Sequence, residues 1–205
     1  MKKALVAAIL GFALTVTNSH AQGYIAMHSY VVVSGTPVFS AVTYGPSASA
    51  GLVGKNVGVN SGFKADLLFS LDGGTTYTLA AGSQTGFWPG SSDGGTPTTD
   101  GAGVFFGPTV AIPGYTSGPA SFIVEAYNGS SYAASLTGGQ FTGKSAPFTI
   151  GSLQTNPNLV PGDVLNIVGT TATGMQPFVV NVPEPSIFAL AGLGAAGLMA
   201  FRRKK

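Results

Sequence analysis

Between residues 22 and 181, no stretch of about 10–15 residues keeps the three-to-four spacing of apolar side chains that an amphipathic helix needs. What recurs is a short β-branched or aromatic run that stops at Gly, Pro, Asn or Asp. Such runs expose alternate side chains to two faces, and their breakers turn the chain back on itself. This pattern predicts an all-β domain built as a single antiparallel β-sandwich, jelly-roll or immunoglobulin-like. The 31 glycines and frequent Ser and Thr fit the same reading, since they supply turns rather than long helices.

The runs can be placed. Tyr24 to Val33 is the first, and Val38 to Tyr44 follows after Gly35-Thr36-Pro37. Lys64 to Leu71 leads into Asp72-Gly73-Gly74, a hairpin signal, with Thr76 to Ala81 as the returning strand. Residues 89–101 hold two prolines and no large apolar side chain, and read as a long surface loop. Val104 to Phe106 and Thr109 to Ile112 read as two strands parted by Gly107-Pro108. In Ser121 to Tyr127, alternation sends Phe122, Val124 and Ala126 to the core and Glu125 to solvent. Asn128-Gly129 then suggests a tight turn into a partner strand at Ser131 to Ser135. Phe141, Pro147 to Ile150, Val164 to Val168 and Phe178 to Val180 supply the rest, for about nine or ten strands in all, with 154–162 as a connection.

Charge narrows the partners. The formal net charge is +2, but six of the nine cations lie at the two ends of the chain. Residues 22–181 keep three lysines against six carboxylates, a net of −3. A mildly acidic body excludes nucleic acid as the expected partner. There is no cysteine, so disulfides and thiolate metal sites are excluded.

Catalytic groups are sparse. His28 is the one histidine of the body, and no serine sits in a G-x-S-x-G setting, so a Ser-His-Asp site lacks its parts. A glycoside-active enzyme needs two carboxylates flanking one bond, and the sequence pairs none. No cofactor is expected. A zinc site would need His28 plus carboxylates brought together by folding. Calcium fits better, because Asp72, Asp93 and Asp100 lie in Gly-rich loops, although no D-x-D-x-D-G spacing occurs. Gly192-Leu193-Gly194-Ala195-Ala196-Gly197 matches a dinucleotide fingerprint but lacks the βαβ context and the later acid that the motif requires. Trp88 stands at the entrance of the 89–101 loop, with Tyr77 nearby in sequence. Trp88, Tyr77, Asp93 and Asp100 are therefore the candidate sugar-contacting residues, against a simpler role for Trp88 as a loop anchor.

The two ends carry addresses. Lys2 and Lys3, an apolar stretch from Ala4 to Val16, and Ser19-His20-Ala21 form a secretory signal peptide over 1–21, cleaved between Ala21 and Gln22 by signal peptidase. At the other end, Val182-Pro183-Glu184-Pro185-Ser186 precedes an uncharged run from Ile187 to Phe201, and Arg202, Arg203, Lys204 and Lys205 close the chain. As a helix, that run spans about 22 Å, enough for a thin transmembrane helix once flanking residues contribute. The four cations hold its end on the cytoplasmic side.

Residues 182–205 resemble the tripartite PEP-CTERM sorting signal of exported bacterial proteins. The resemblance implies that Pro183, Glu184 and Pro185 are the recognition motif and that an exosortase, an integral-membrane cysteine transpeptidase, processes the tail. It also implies a Gram-negative envelope and an exopolysaccharide or biofilm setting. Val110 to Tyr115, Phe122 to Tyr127 and Gly143 to Ile150 more loosely resemble the secreted β-rich domains that accompany this tail, and they assign no activity.

The expectation is thus a signal peptide (1–21), a β-sandwich ectodomain (22–181) and a sorting signal (182–205). The protein would be a non-enzymatic, structural or adhesive component of the cell surface or extracellular matrix. A carbohydrate-binding module is the alternative, with extracellular polysaccharide as its partner.

Overall fold

The computed structural model describes residues 22–183. The expected signal segment with Ala21, as well as Glu184, Pro185, the apolar run 187–201 and the terminal cations Arg202 to Lys205, lies outside the described residues.

The described chain is strand-rich. Its centre is β5 (Lys64–Ser70) paired antiparallel along its whole length with β9 (Ala120–Tyr127). β10 (Thr142–Lys144) and β11 (Phe148–Ile150) both pair with β9 on its other edge. β6 (Thr78–Leu79) and β7 (Thr85–Gly86) pair with β5. β6 returns through the predicted Asp72-Gly73-Gly74 turn, where Gly73 and Gly74 both take positive φ.

Four two-stranded ribbons surround this six-stranded sheet. β1 (Gln22–His28) pairs antiparallel with β8 (Phe106–Pro113), β2 (Tyr30–Val33) forms a hairpin with β3 (Thr36–Phe39), and β12 (Ile167–Val168) forms one with β13 (Thr171–Ala172). β14 (Phe178–Val180) lies parallel to β4 (Val42–Tyr44). An Asn181–Thr142 bridge also ties β14 to β10. The all-β, mainly antiparallel reading is therefore right. The β4–β14 pair departs from it, and the pairings assign neither a jelly-roll nor an immunoglobulin order. One core unites these elements, drawing Ile25, Met27, Val42, Phe63, Leu67, Phe105, Ile112, Phe122 and Val180 from six segments of chain.

Three local expectations are corrected. The stretch Ser131 to Ser135 is not a strand: α1 (Tyr132–Thr137) occupies it, because the Ser131 side chain accepts the Ala134 N–H and caps a helix rich in alanine. Val104 to Phe106 and Thr109 to Ile112 do not form two strands around a break. β8 runs through Gly107-Pro108, and the register slips opposite Met27, so the proline sits at an irregularity where no ladder donor is missed. Glu125 does not face solvent. It is 7% exposed because α1 and its Tyr132 cover the outer face of β9 and β10, leaving β9 buried on both sides. The first two runs also break, at Ser29 and at Ser40-Ala41, and Val164 and Leu165 are buried in a turn ahead of β12.

Candidate ligand-binding surface

Two register pairs place four aromatic rings on one side of the molecule. His28 at the end of β1 stands opposite Phe106, the first residue of β8, and their rings stack at 3.6 Å with 9° between planes. Tyr30 and Phe39 are partners across the β2–β3 hairpin, with ring centres 6.3 Å apart. Such directly opposed residues are where a sheet brings side chains closest.

Trp88 joins the two pairs. It follows β7, and its N–H donates to the Val104 carbonyl at 2.9 Å, while the Phe87–Phe105 bridge fixes the residue before it. Its ring meets Tyr30 edge-on at 6.3 Å and Phe106 edge-on at 6.1 Å. Phe39, Tyr30, Trp88, Phe106 and His28 thus form one continuous row. Phe106 is 57% exposed, and Phe39 and Trp88 are about 40% exposed.

Trp88 is held from beneath. Gly101 has φ +76°, and a β-carbon there would fall 2.3 Å from Trp88 Cγ, so the indole lies directly on the backbone of its own loop. This contact is consistent with a role as loop anchor, while Trp88 as a whole stays 38% exposed. Beside it, Tyr30, Trp88 and residues 97–101 line a cleft of about 280 Å³.

The other predicted residues divide. Asp100 lines the cleft, where its Oδ1 accepts the N–H groups of Thr96 and Ala102 at 2.9 and 3.0 Å, and its Oδ2 accepts the Ser92 hydroxyl. These donors, Ala102 N–H foremost, hold its carboxyl below the usual range and keep it an anion. Asp93 is not a contact residue. Its carboxylate is consumed by Gly58 N–H at 2.6 Å, the Tyr44 hydroxyl at 3.0 Å and the Ser61 hydroxyl, so it pins the loop to the core. Burial, more than its Asp93 partner, pushes the Tyr44 phenol up to about 12. Tyr77 lies in the β5–β6 hairpin against Gly74 and does not line the cleft.

Tyr30, Phe39 and Phe106 escaped the sequence reading. Each sits beside an ordinary apolar strand position, and only long-range register makes neighbours of them. The same holds for Asp66 and Glu125, which are direct partners across β5 and β9 and each 7% exposed. Asp66 accepts the Tyr127 hydroxyl and Glu125 pairs with Lys144 Nζ at 2.6 Å. They share a sheet face with Tyr127 and Lys144 and do not line the cleft.

His28 is half-buried, and desolvation lowers its pKa despite the nearby Asp163 carboxylate, whose own pKa burial raises. Among the described residues, no group of three or more His, Asp or Glu side chains is placed to hold a metal ion. Asp72, like Asp93, is engaged by local donors, three of them on its Oδ1.

The far end of the described chain carries a different kind of site. Asn181 bridges to Thr142, and the next amide, Val182 N–H, donates to Ser47 Oγ at 2.6 Å. From this point residues 181–204 match the family model of the PEP-CTERM protein-sorting motif. The chain therefore carries a PEP-CTERM protein-sorting motif at residues 181–204. No curated protein and no solved structure matches the chain. The sorting motif implies export, membrane anchoring before processing, and an exosortase as the processing enzyme. Among the described residues no helix is long and apolar enough to cross a membrane. Of the predicted recognition residues, Pro183 directly follows the bonded Val182.

Proposed function

We propose that this PEP-CTERM protein is a non-enzymatic, adhesive component of the cell surface or extracellular matrix, working in an exopolysaccharide setting. The sorting motif is the observation that carries the proposal: it is joined without a linker to a strand of the folded body, so the body itself is what the motif delivers. A signal peptide over 1–21 starts the export, and a transmembrane helix over 187–201 holds the precursor until processing. The 22–181 body would then be a sandwich-type ectodomain with no catalytic task.

One observation favours the narrower reading of a carbohydrate-binding module. The exposed row of Phe39, Tyr30, Trp88 and Phe106 is larger than loop anchoring requires.

The test replaces Pro183, Glu184 and Pro185 by alanine in the native host. The expected outcome is a full-length species retained in the membrane fraction, while the parent chain is processed and reaches the surface or the medium. Unchanged processing of the triple variant removes the proposal.

A further inference from the structure

We propose that the row Phe39–Tyr30–Trp88–Phe106, with the cleft beside Trp88, is a binding strip for an extended, uncharged polysaccharide, contacting several consecutive sugar rings. The proposal rests on the adhesive reading above and assigns its contact surface and ligand class.

Three features of the strip select this ligand. The rings are rigid before anything binds. Tyr30, Phe39 and Phe106 stand on paired strands, and Trp88 is seated on Gly101, so little side-chain freedom is lost on contact. Neighbouring ring centres along the row lie 6.1–6.3 Å apart, with Tyr30 and Phe39 near-parallel and Trp88 edge-on to Tyr30 and Phe106, so an extended glycan meets alternating ring faces and edges along its length. A single sugar would meet only one or two of them. The polar groups are few and lie at the edge: Thr98 and Thr99 line the cleft with Asp100 and provide hydroxyl and carboxylate partners for sugar hydroxyls.

Charge decides between glycan types. The Asp100 carboxylate borders Trp88 in the cleft, and no lysine or arginine lines it. A uronic-acid chain would bring its own carboxylates against Asp100 with no cation between them, and a neutral chain meets no such penalty. A second copy of the chain would also bury the aromatic surface, so that occupant is tested in the same experiment.

Trp88 is the only tryptophan in the chain, so intrinsic emission of the full-length protein reports on this strip alone. The protein is held in a detergent without a sugar headgroup and titrated with cellohexaose, chitohexaose, a galacturonate hexamer and glucose. A saturable change in Trp88 emission is expected with at least one neutral hexamer, at least tenfold tighter than with glucose or the galacturonate hexamer. Phe106→Ala, at an exposed position, should weaken that binding about three- to tenfold. Leu79→Ala, exposed on β6 away from the row, should leave it unchanged. No saturable change with either neutral hexamer, equal binding of glucose, preference for the galacturonate, or an unaffected Phe106→Ala variant each overturns the proposal. So does concentration-dependent dimerisation in sedimentation that Phe106→Ala abolishes, since a second copy would then cover the strip. Correct sorting of the parent chain in the host, alongside failed binding, would discard the ligand class and leave the export reading intact.

Discussion

The amide of Val182 donates to the hydroxyl of Ser47 at 2.6 Å, and the same hydroxyl donates to Asn181 Oδ1 at 3.2 Å. This contact closes a seam that begins with β14. That strand lies between β4, to which it runs parallel, and β10, which it approaches so closely that a β-carbon on Gly143 would fall 2.2 Å from the Val179 carbonyl oxygen. The last strand before the sorting motif is therefore part of the fold, with Phe178 and Val180 in the core.

Removal of that strand should unfold the body. Burying Phe178 and Val180 contributes about 1.5–3 kcal/mol each, a large share of the about 5–15 kcal/mol that stabilises an ordinary domain. A chain ending at Val182 should show a cooperative thermal transition, and one ending at Gln176 should show none or melt far lower. Equal melting temperatures would mean that β14 is dispensable.

The Asp66–Glu125 pair makes a second prediction. Two carboxylates face one another across adjacent strands, and each depends on its own partner: Tyr127 Oη for Asp66, Lys144 Nζ for Glu125. Gln84 Nε2 donates to the same phenol at 2.6 Å, and burial together with Asp66 raises the Tyr127 pKa, so it stays a donor at any ordinary pH. Tyr127→Phe should cost about 1–3 kcal/mol by leaving a buried carboxylate without its donor. Lys144→Ala should cost less, about 1–2 kcal/mol, because the lysine side chain is 43% exposed and partly screened. Urea denaturation of the two variants reads both values, and a larger loss for Lys144→Ala would reverse the ranking.

Asp72 provides a pH signature. The Ser70 hydroxyl, then the Thr76 and Thr75 amides, hold its carboxyl down to about 2 from an ordinary 3.8. The folded hairpin thus binds this proton more weakly than the unfolded chain. Its contribution to stability is complete above the ordinary value and disappears as the pH falls towards about 2. The group is fully exposed, so the effect belongs to the β5–β6 turn rather than to global stability. An NMR titration should place the Asp72 carboxyl near 2, and Ser70→Ala should move it up towards 3.8. An unshifted carboxyl in the parent protein would contradict the turn geometry.

Much of this was legible in the residues. Asp72-Gly73-Gly74 specified a hairpin because only those residue types accept its positive φ angles, and the structure has that hairpin. The 89–101 loop, the 154–162 connection and the β-rich class were legible for the same reason: turn chemistry is local. Ser131 was misread because a helix cap and a strand start share the same small polar residues, and the choice depended on the backbone around it.

The sequence by itself determined the strand-rich class, the acidic and cysteine-free body, and the sorting motif at 181–204, because each is written in composition or in contiguous residues. Tertiary structure alone decided that Asp93 is a loop pin and Asp100 a cleft residue, that Glu125 is buried, and that Tyr30, Trp88 and Phe106 share one surface. Those facts depend on strand register between segments tens of residues apart. A one-residue slip would turn every side chain of a strand to its other face, and local patterning does not encode which partner each strand finds.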